Sequence, residues 1–106
     1  MLLSSPQLSF AVSRLVEAAH PNRIILFGSQ ARGNADSRSD YDFLVIGPVP
    51  DDRRKFVASL LRAMNGTGIP SDIVVLTPEE FEVEKSIPGT IARPAWLEGR
   101  VLYESN

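Results

Sequence analysis

Two short motifs, each joined to an apolar run, constrain most strongly how this chain can fold. The run at residues 24–27 ends at Gly28-Ser29, and ten residues later Asp40-x-Asp42 opens a second run at residues 43–46. Side chains alternate along a strand, so Asp40 and Asp42 are expected on one face, where they repel each other unless a cation lies between them. Mg²⁺ prefers such oxygen ligands, and a glycine-serine turn allows close approach to a phosphate. Together the motifs predict a metal-nucleotide site.

The same residues carry a family resemblance. The spacing of Gly28-Ser29 and Asp40-x-Asp42, with ten residues between the two motifs, resembles the signature of the DNA polymerase β-type nucleotidyltransferase superfamily. The longer stretch at residues 25–45, which includes Ala31-Arg32-Gly33, resembles the minimal nucleotidyltransferase (MNT) branch of that superfamily. The resemblance covers about residues 22–104. It implies an α+β (α/β-like) nucleotidyltransferase fold, with a small mixed sheet of three to four strands and packed helices.

Length and composition narrow the class of protein. The chain has 106 residues, which fits a single domain over residues 1–106. It has no cysteine and a formal net charge of −2, so disulfides and zinc-thiolate sites are excluded and nucleic acid is not an expected partner. No apolar run approaches membrane-spanning length. These features predict a cytoplasmic protein that does not act at a membrane.

Apolar periodicity and capping residues predict most of the elements. Helices are expected over residues 6–20, 29–32, 53–64 and 78–83, with Ser5, Asp51 or Asp52, and Thr77 as N-caps. Strands are expected over residues 23–27, 41–46 and 71–76, with a polar loop at 34–39. Two further elements are left open: a helix over residues 91–97, which Pro94 interrupts, and an edge strand over residues 100–104. The core-facing side chains expected on the third helix are Phe56, Val57, Leu60, Leu61 and Met64.

The expected topology brings the motifs together. A helix joins the second and third strands, which favours parallel pairing and places Asp42 and Asp72 at the same edge of the sheet. If the first strand is antiparallel to the second, Gly28-Ser29 reaches that edge as well. Taken singly, Asp40 could cap a turn, Asp72 could occupy a strand end and Gly28 could be a turn glycine. Their joint occurrence in register with strands favours a catalytic site.

The resemblance also implies a role for each site residue. Asp40 and Asp42 would bind two Mg²⁺ ions and Asp72 the ion that activates the nucleophile, so that these three aspartates are both metal ligands and catalytic residues. Gly28 and Ser29 would hold the β- and γ-phosphates of ATP. Arg32 would add donors to a phosphate, with a carboxylate-paired surface arginine as the alternative.

MNT proteins are commonly paired with a HEPN-domain ribonuclease toxin, and the resemblance implies an antitoxin that transfers AMP from ATP to a tyrosine hydroxyl of that toxin. Two alternatives remain open: an adenylyltransferase acting on a small molecule such as an aminoglycoside, and a non-catalytic antitoxin that acts by binding. The three aspartates argue against a pure binder, because clustered acids that repel each other add nothing to binding. Homo- and hetero-oligomers are both left open.

Four other features have an ordinary structural interpretation that is favoured over a functional one. The basic triplet at residues 53–55 is expected to be solvated rather than to contact a nucleotide or partner. His20 is expected at a helix end, and Trp96 and Tyr103 are expected to pack the C-terminal segment.

Overall fold

The structure is a computed structural model, and it describes residues 5–33 and 40–105. Five helices and four strands lie in this part of the chain. The loop expected at residues 34–39 lies outside it. In chain order the elements are α1 (Pro6–Ala19), β1 (Arg23–Phe27), α2 (Gly28–Arg32), β2 (Tyr41–Ile46), α3 (Arg53–Ala63), β3 (Ser71–Leu76), α4 (Pro78–Glu84), α5 (Ala92–Glu98) and β4 (Arg100–Glu104).

The first helix begins and ends where its sequence predicts. The Ser5 side chain accepts a hydrogen bond from the Leu8 backbone N–H at 3.0 Å, and Pro6 occupies the first turn, where a missing N–H costs nothing. His20 ends α1 in the left-handed conformation, with φ 47°, and its N–H donates to the Val16 carbonyl. The expected helix-end position of His20 is therefore confirmed.

The four strands form one mixed sheet in the order β3-β2-β1-β4. β1 is antiparallel to both of its neighbours, and β2 is parallel to β3. The parallel pairing expected for β2 and β3 is confirmed, and the antiparallel β1–β2 pairing that would bring Gly28-Ser29 to the same edge is present. The C-terminal end of β1 and the N-terminal ends of β2 and β3 consequently meet at one edge of the sheet, which we call the acidic edge because Asp42 and Asp72 lie on it.

Helices cover both faces of this sheet. α1 and α3 pack on one face, where Leu15, Leu26, Phe43 and Leu60 belong to the larger apolar cluster. α4 and α5 pack on the other face through residues such as Phe81. The expectation that Leu61 of α3 faces the core is wrong, since Leu61 is 39% exposed. It directly follows the buried Leu60, and successive residues of a helix point in different directions, so Leu61 lies outside the apolar stripe. Among the described helices, none is long and apolar enough to cross a membrane.

The C-terminal segment forms a helix and an edge strand. Pro94 is tolerated in α5 because it lies in the first turn, where backbone N–H groups have no intrahelical acceptor. The Trp96 ring meets Phe81 edge-on at 6.2 Å, and Tyr103 packs against the larger cluster. The packing expected for Tyr103 is confirmed, whereas Trp96 contacts Phe81 but is 49% exposed. β4 brings the sheet to four strands.

Arg53 departs from the solvated role expected for the basic triplet. Its guanidinium donates to the Val75 carbonyl at 2.8 Å and pairs with the Glu80 carboxylate at 2.9 Å. Glu80 in turn completes a capping box with Thr77, accepting from the Thr77 N–H at 2.8 Å. Arg53 thereby ties the start of α3 to the outer side of β3 and to the start of α4.

Glu80→Gln is expected to lower the free energy of unfolding at pH 7 by about 0.5 kcal/mol, because Gln can keep the capping-box hydrogen bond but loses the ion pair with Arg53. The Thr77 backbone hydrogen bond, and then Arg53, lower the pKa of Glu80 below its ordinary value of 4.5, against the opposing effect of burial. Because the pKa of Glu80 is lower in the folded protein, the ionised carboxylate stabilises the fold above pH 4.5, and this stabilisation is lost as the pH falls through the folded pKa. Urea unfolding at pH 7 and pH 3 measures this, and Glu79→Gln in the same helical turn is the control. An equal loss at both pH values would contradict the assignment.

Candidate active site

The turn after β1 is built around Gly28. Phe27 ends β1, pairs with Asp42 of β2 and is the N-cap of α2. Gly28 has φ +75°, a conformation that L side chains rarely adopt. A Cβ added to Gly28 would collide with Oδ2 of Asp42 and lie 3.2 Å from its Cγ. Both the backbone conformation and the space therefore require glycine here, and the glycine-serine turn directly contacts the second motif.

The aspartates gather along the acidic edge. Asp42 and Asp72 are directly paired in the parallel register of β2 and β3, and Asp40 immediately precedes β2. Directly paired residues point to the same face of a sheet, and Asp42 shares its face with Leu44, which packs under α4 and α5. Asp42 is half-buried, whereas Asp40 and Asp72 are exposed. Asp42 thus has a neighbouring carboxylate on the adjacent strand and another two positions before it.

The electrostatics show that these three charges interact. Burial raises the pKa of Asp42 above its ordinary value of 3.8, and the Asp72 and Asp40 carboxylates raise it further, while Arg32 opposes them. The ion pairs formed within the described residues use glutamates rather than these aspartates. At neutral pH the Asp42 charge is therefore held in an unfavourable environment, which a bound cation would relieve.

The residues fit a divalent cation by their chemistry. Within residues 5–33 and 40–105, no three acidic, histidine or cysteine side chains are already gathered closely enough to enclose a metal ion. Asp40, Asp42 and Asp72 nevertheless offer the all-oxygen donors that Mg²⁺ prefers, and Mg²⁺ commonly completes its shell with water and substrate phosphates. The Asp42 Oδ2 occupies the position that a Cβ on Gly28 would need, so this carboxylate lies directly against the backbone of the glycine-serine turn.

The two remaining candidates lie on α2. Ser29 follows Gly28 in the first turn and is half-buried. Arg32 ends the helix, is 44% exposed, and its Nη1 lies 3.7 Å from the Glu98 Oε1. Its charge also acts on Asp42, since it is the group that opposes the raised pKa there. Arg32 is thus paired with a carboxylate, as expected for a surface arginine. It also lies close enough to the acidic edge to act on Asp42, as a phosphate-binding arginine would need to.

Sequence reasoning missed the residues around Gly99. Glu98 pairs with Arg32, and the Arg100 Nε donates to the Ala31 carbonyl at 3.4 Å, so both residues contact α2 from a distant part of the chain. The sequence holds one signal for this contact, a glycine between α5 and β4, but it does not indicate which element that glycine approaches.

The chain is similar to known proteins in both sequence and fold. A family model described as a nucleotidyltransferase domain matches residues 7–95. The chain is 38% identical over 82 residues to a protein of Methanocaldococcus jannaschii that is named as an inferred protein adenylyltransferase. That match covers 76% of this chain and 77% of the relative.

Two solved structures are similar in fold. One is a crystal structure of a toxin-antitoxin with AMP-PNP, with a TM-score of 0.57 and 21% identity, covering 91% of this chain and 73% of that chain. The other is a mutant of the toxin-antitoxin MntA-HpeT, with a TM-score of 0.53 and 19% identity, covering 90% of this chain and 72% of that chain. At these identities the likeness shows the fold alone.

Proposed function

This chain belongs to the nucleotidyltransferase domain family and is a nucleotidyltransferase with that family's fold, and from this premise we propose that it transfers AMP from ATP to a hydroxyl group of a partner protein. The observation that carries the proposal is the acidic edge. Asp42 lies against Gly28 on one side and pairs with Asp72 on the other, so the nucleotide-binding turn and the candidate metal ligands form one site.

Each site residue has a role in this proposal. Asp40, Asp42 and Asp72 would hold two Mg²⁺ ions, which when bound supply charge neutralisation and lower the pKa of an attacking hydroxyl. Gly28 and Ser29 would bind the β- and γ-phosphates, because a glycine allows a phosphate to approach the backbone and a serine hydroxyl can donate to a phosphate oxygen. Arg32 would add charged donors to the triphosphate from the end of α2.

The reaction exchanges a phosphoanhydride bond of ATP for a phosphoester bond to the acceptor. The hydroxyl oxygen of the acceptor forms a bond to the α-phosphorus of ATP, and the bond from that phosphorus to the bridging oxygen of the β-phosphate breaks. Pyrophosphate leaves with the bonding electrons, and the hydroxyl proton passes to solvent. In-line displacement of this kind depends on positioning and charge stabilisation, which the acidic edge and the α2 turn supply.

We propose a HEPN-domain ribonuclease toxin as the partner, with a tyrosine hydroxyl as acceptor, so that the chain acts as an antitoxin in a hetero-oligomer. The relative named as a protein adenylyltransferase supports transfer to a protein. The structural neighbours support a toxin as the partner and ATP as the nucleotide, since both are toxin-antitoxin structures and one contains AMP-PNP. The use of ATP and the lack of cysteine favour the cytoplasm as the location.

Intact-mass analysis tests this function. The protein is incubated with ATP, Mg²⁺ and the toxin encoded by the neighbouring gene, and the toxin mass is expected to rise by one AMP group per modified tyrosine. Asp42→Asn should remove the gain, and Asp51→Asn, which changes an exposed acid before α3, should retain it. A tight complex with no change in mass would contradict transfer and favour the binding-only antitoxin. AMP transfer to an aminoglycoside but not to the toxin would favour the small-molecule enzyme.

A further inference from the structure

The junction between α5 and β4 packs directly against the strand that leads into the α2 turn. Gly99 joins the two elements, and a Cβ added to it would collide with the Ala95 carbonyl oxygen and with Cγ2 of Ile25, and would lie 3.1 Å from the Leu26 carbonyl oxygen. Its φ of −74° is one that any residue adopts. Glycine is therefore required by close packing on β1, and the packing fixes where the side chains on either side of Gly99 are placed.

Both of those side chains reach α2. Glu98 pairs with Arg32 at 3.7 Å, and the Arg100 Nε donates to the Ala31 carbonyl at 3.4 Å. α2 has only five residues, and its N-cap Phe27 provides no side-chain hydrogen bond. So short a helix gains little from its own hydrogen bonds and depends on contacts with the rest of the protein. The α5–β4 junction supplies such contacts on the C-terminal half of α2.

The Glu98 contact also bears on the charge at the acidic edge. It joins one Nη of Arg32 to one carboxylate oxygen at 3.7 Å, and a guanidinium has five N–H donors, so the Glu98 contact by itself does not use up the donors that another anion would need. Arg32 is at the same time close enough to Asp42 to act on its charge. Arg32 thus interacts with two carboxylates, with Glu98 through an ion pair and with Asp42 through its charge.

We propose that Glu98 is a positioning residue for nucleotide binding: its ion pair with Arg32, set in place by the packing of Gly99 on β1, directs the Arg32 guanidinium toward the triphosphate. The inference rests on the proposed function, because it assigns the triphosphate to the space between α2 and the acidic edge. It goes beyond that function by giving a role to a residue that touches neither the nucleotide nor the acceptor.

The test is direct binding of AMP-PNP with Mg²⁺ by titration calorimetry, which needs no acceptor protein. Glu98→Gln is expected to weaken binding by about threefold, below the roughly fivefold ceiling for an exposed ion pair. Arg32→Gln is expected to weaken it by about tenfold, because a charge-assisted donor to the phosphate is lost. When both changes are combined, Glu98→Gln should add nothing to the effect of Arg32→Gln, since Glu98 acts only through Arg32.

Glu104→Gln is the matched control. Glu104 pairs with Arg23 at 2.9 Å, lies on the same strand as Arg100 and is about as exposed as Glu98, but its pair is at the other end of β1. It should leave nucleotide affinity unchanged, and all single variants should keep the melting temperature of the wild type within a few degrees.

The outcomes separate the two proposals. If the wild type fails to bind Mg²⁺ and AMP-PNP, the proposed function is contradicted. If the wild type binds and Arg32→Gln weakens binding, but Glu98→Gln does not, only the positioning role is overturned. Equal weakening by Glu98→Gln with and without Arg32 would overturn it as well, because the effect would not pass through the guanidinium.

Discussion

Asp42→Asn is expected to abolish nucleotidyl transfer while leaving the protein at least as stable as the wild type. The loss of activity should be about 10³-fold or more, the scale on which removing one group that stabilises the transition state acts. Stability should rise because the pKa of Asp42 is raised by burial and by its acidic neighbours, so its ionised form opposes folding at neutral pH. The amide has nearly the same shape and carries no charge.

The sign of the stability change can be checked against pH. The pKa of the Asp42 carboxyl is higher in the folded protein than its ordinary value of 3.8, which we take for the unfolded chain. Ionisation of Asp42 therefore lowers the free energy of unfolding as the pH rises through 3.8 and then through the folded pKa, and this cost disappears at low pH, where the carboxyl is protonated in both the folded and the unfolded state. The gain from Asp42→Asn should therefore be present at pH 7 and absent at pH 3. Urea unfolding in EDTA measures it, with Asp51→Asn as a control for an exposed acid elsewhere. A lower stability at pH 7 would show that the Asp42 charge has a partner that stabilises the fold.

Gly28→Ala is expected to reduce transfer by about 100-fold or more, because a displacement of about 1 Å at a reacting centre has costs of that size. The added methyl would collide with the Asp42 carboxylate, so the turn or the carboxylate must move. An alanine with positive φ also costs roughly 1–2 kcal/mol of stability. Steady-state transfer kinetics and urea unfolding measure the two effects separately.

Gly33→Ala isolates the conformational part of that effect. Gly33 ends the same helix with φ +78°, close to the +75° of Gly28, but a Cβ added there meets no atom within 4 Å in the part of the chain that the structure describes. It should lose a similar amount of stability and keep most of its activity. If the two variants lose activity equally, backbone strain at the ends of α2 is responsible, and the contact between Gly28 and Asp42 does not control the activity.

The paired aspartates were predictable from the sequence because topology alone places them. Asp42 and Asp72 each stand near the start of a β-branched apolar run, and a helix between the two runs requires them to be parallel, which aligns their first residues. The place of the Gly28 turn was predictable only on a condition, since it reaches this edge if β1 is antiparallel to β2, which is the pairing that the structure has. These predictions needed the element order and the strand boundaries but no side-chain detail.

The residues that sequence reasoning missed depend on contacts between distant parts of the chain. Arg53 reads as one of three solvated basic residues, and only the position of β3 and α4 beside it reveals the Val75 carbonyl and Glu80 as its partners. Glu98 lies in a segment where Pro94 and a short apolar run favour neither helix nor strand. Its approach to Arg32 depends on how closely Gly99 packs on β1, which no local pattern encodes.

Anomalous scattering from Mn²⁺ is the most direct test of the acidic edge. Crystals grown with Mn²⁺ in place of Mg²⁺ and with AMP-PNP are predicted to show metal peaks in contact with carboxylate oxygens of Asp40, Asp42 and Asp72, with the triphosphate against Gly28 and Ser29. Mn²⁺ bound elsewhere on the protein, or bound at this edge without Asp72, would contradict the claim that these three acids form one metal-nucleotide site.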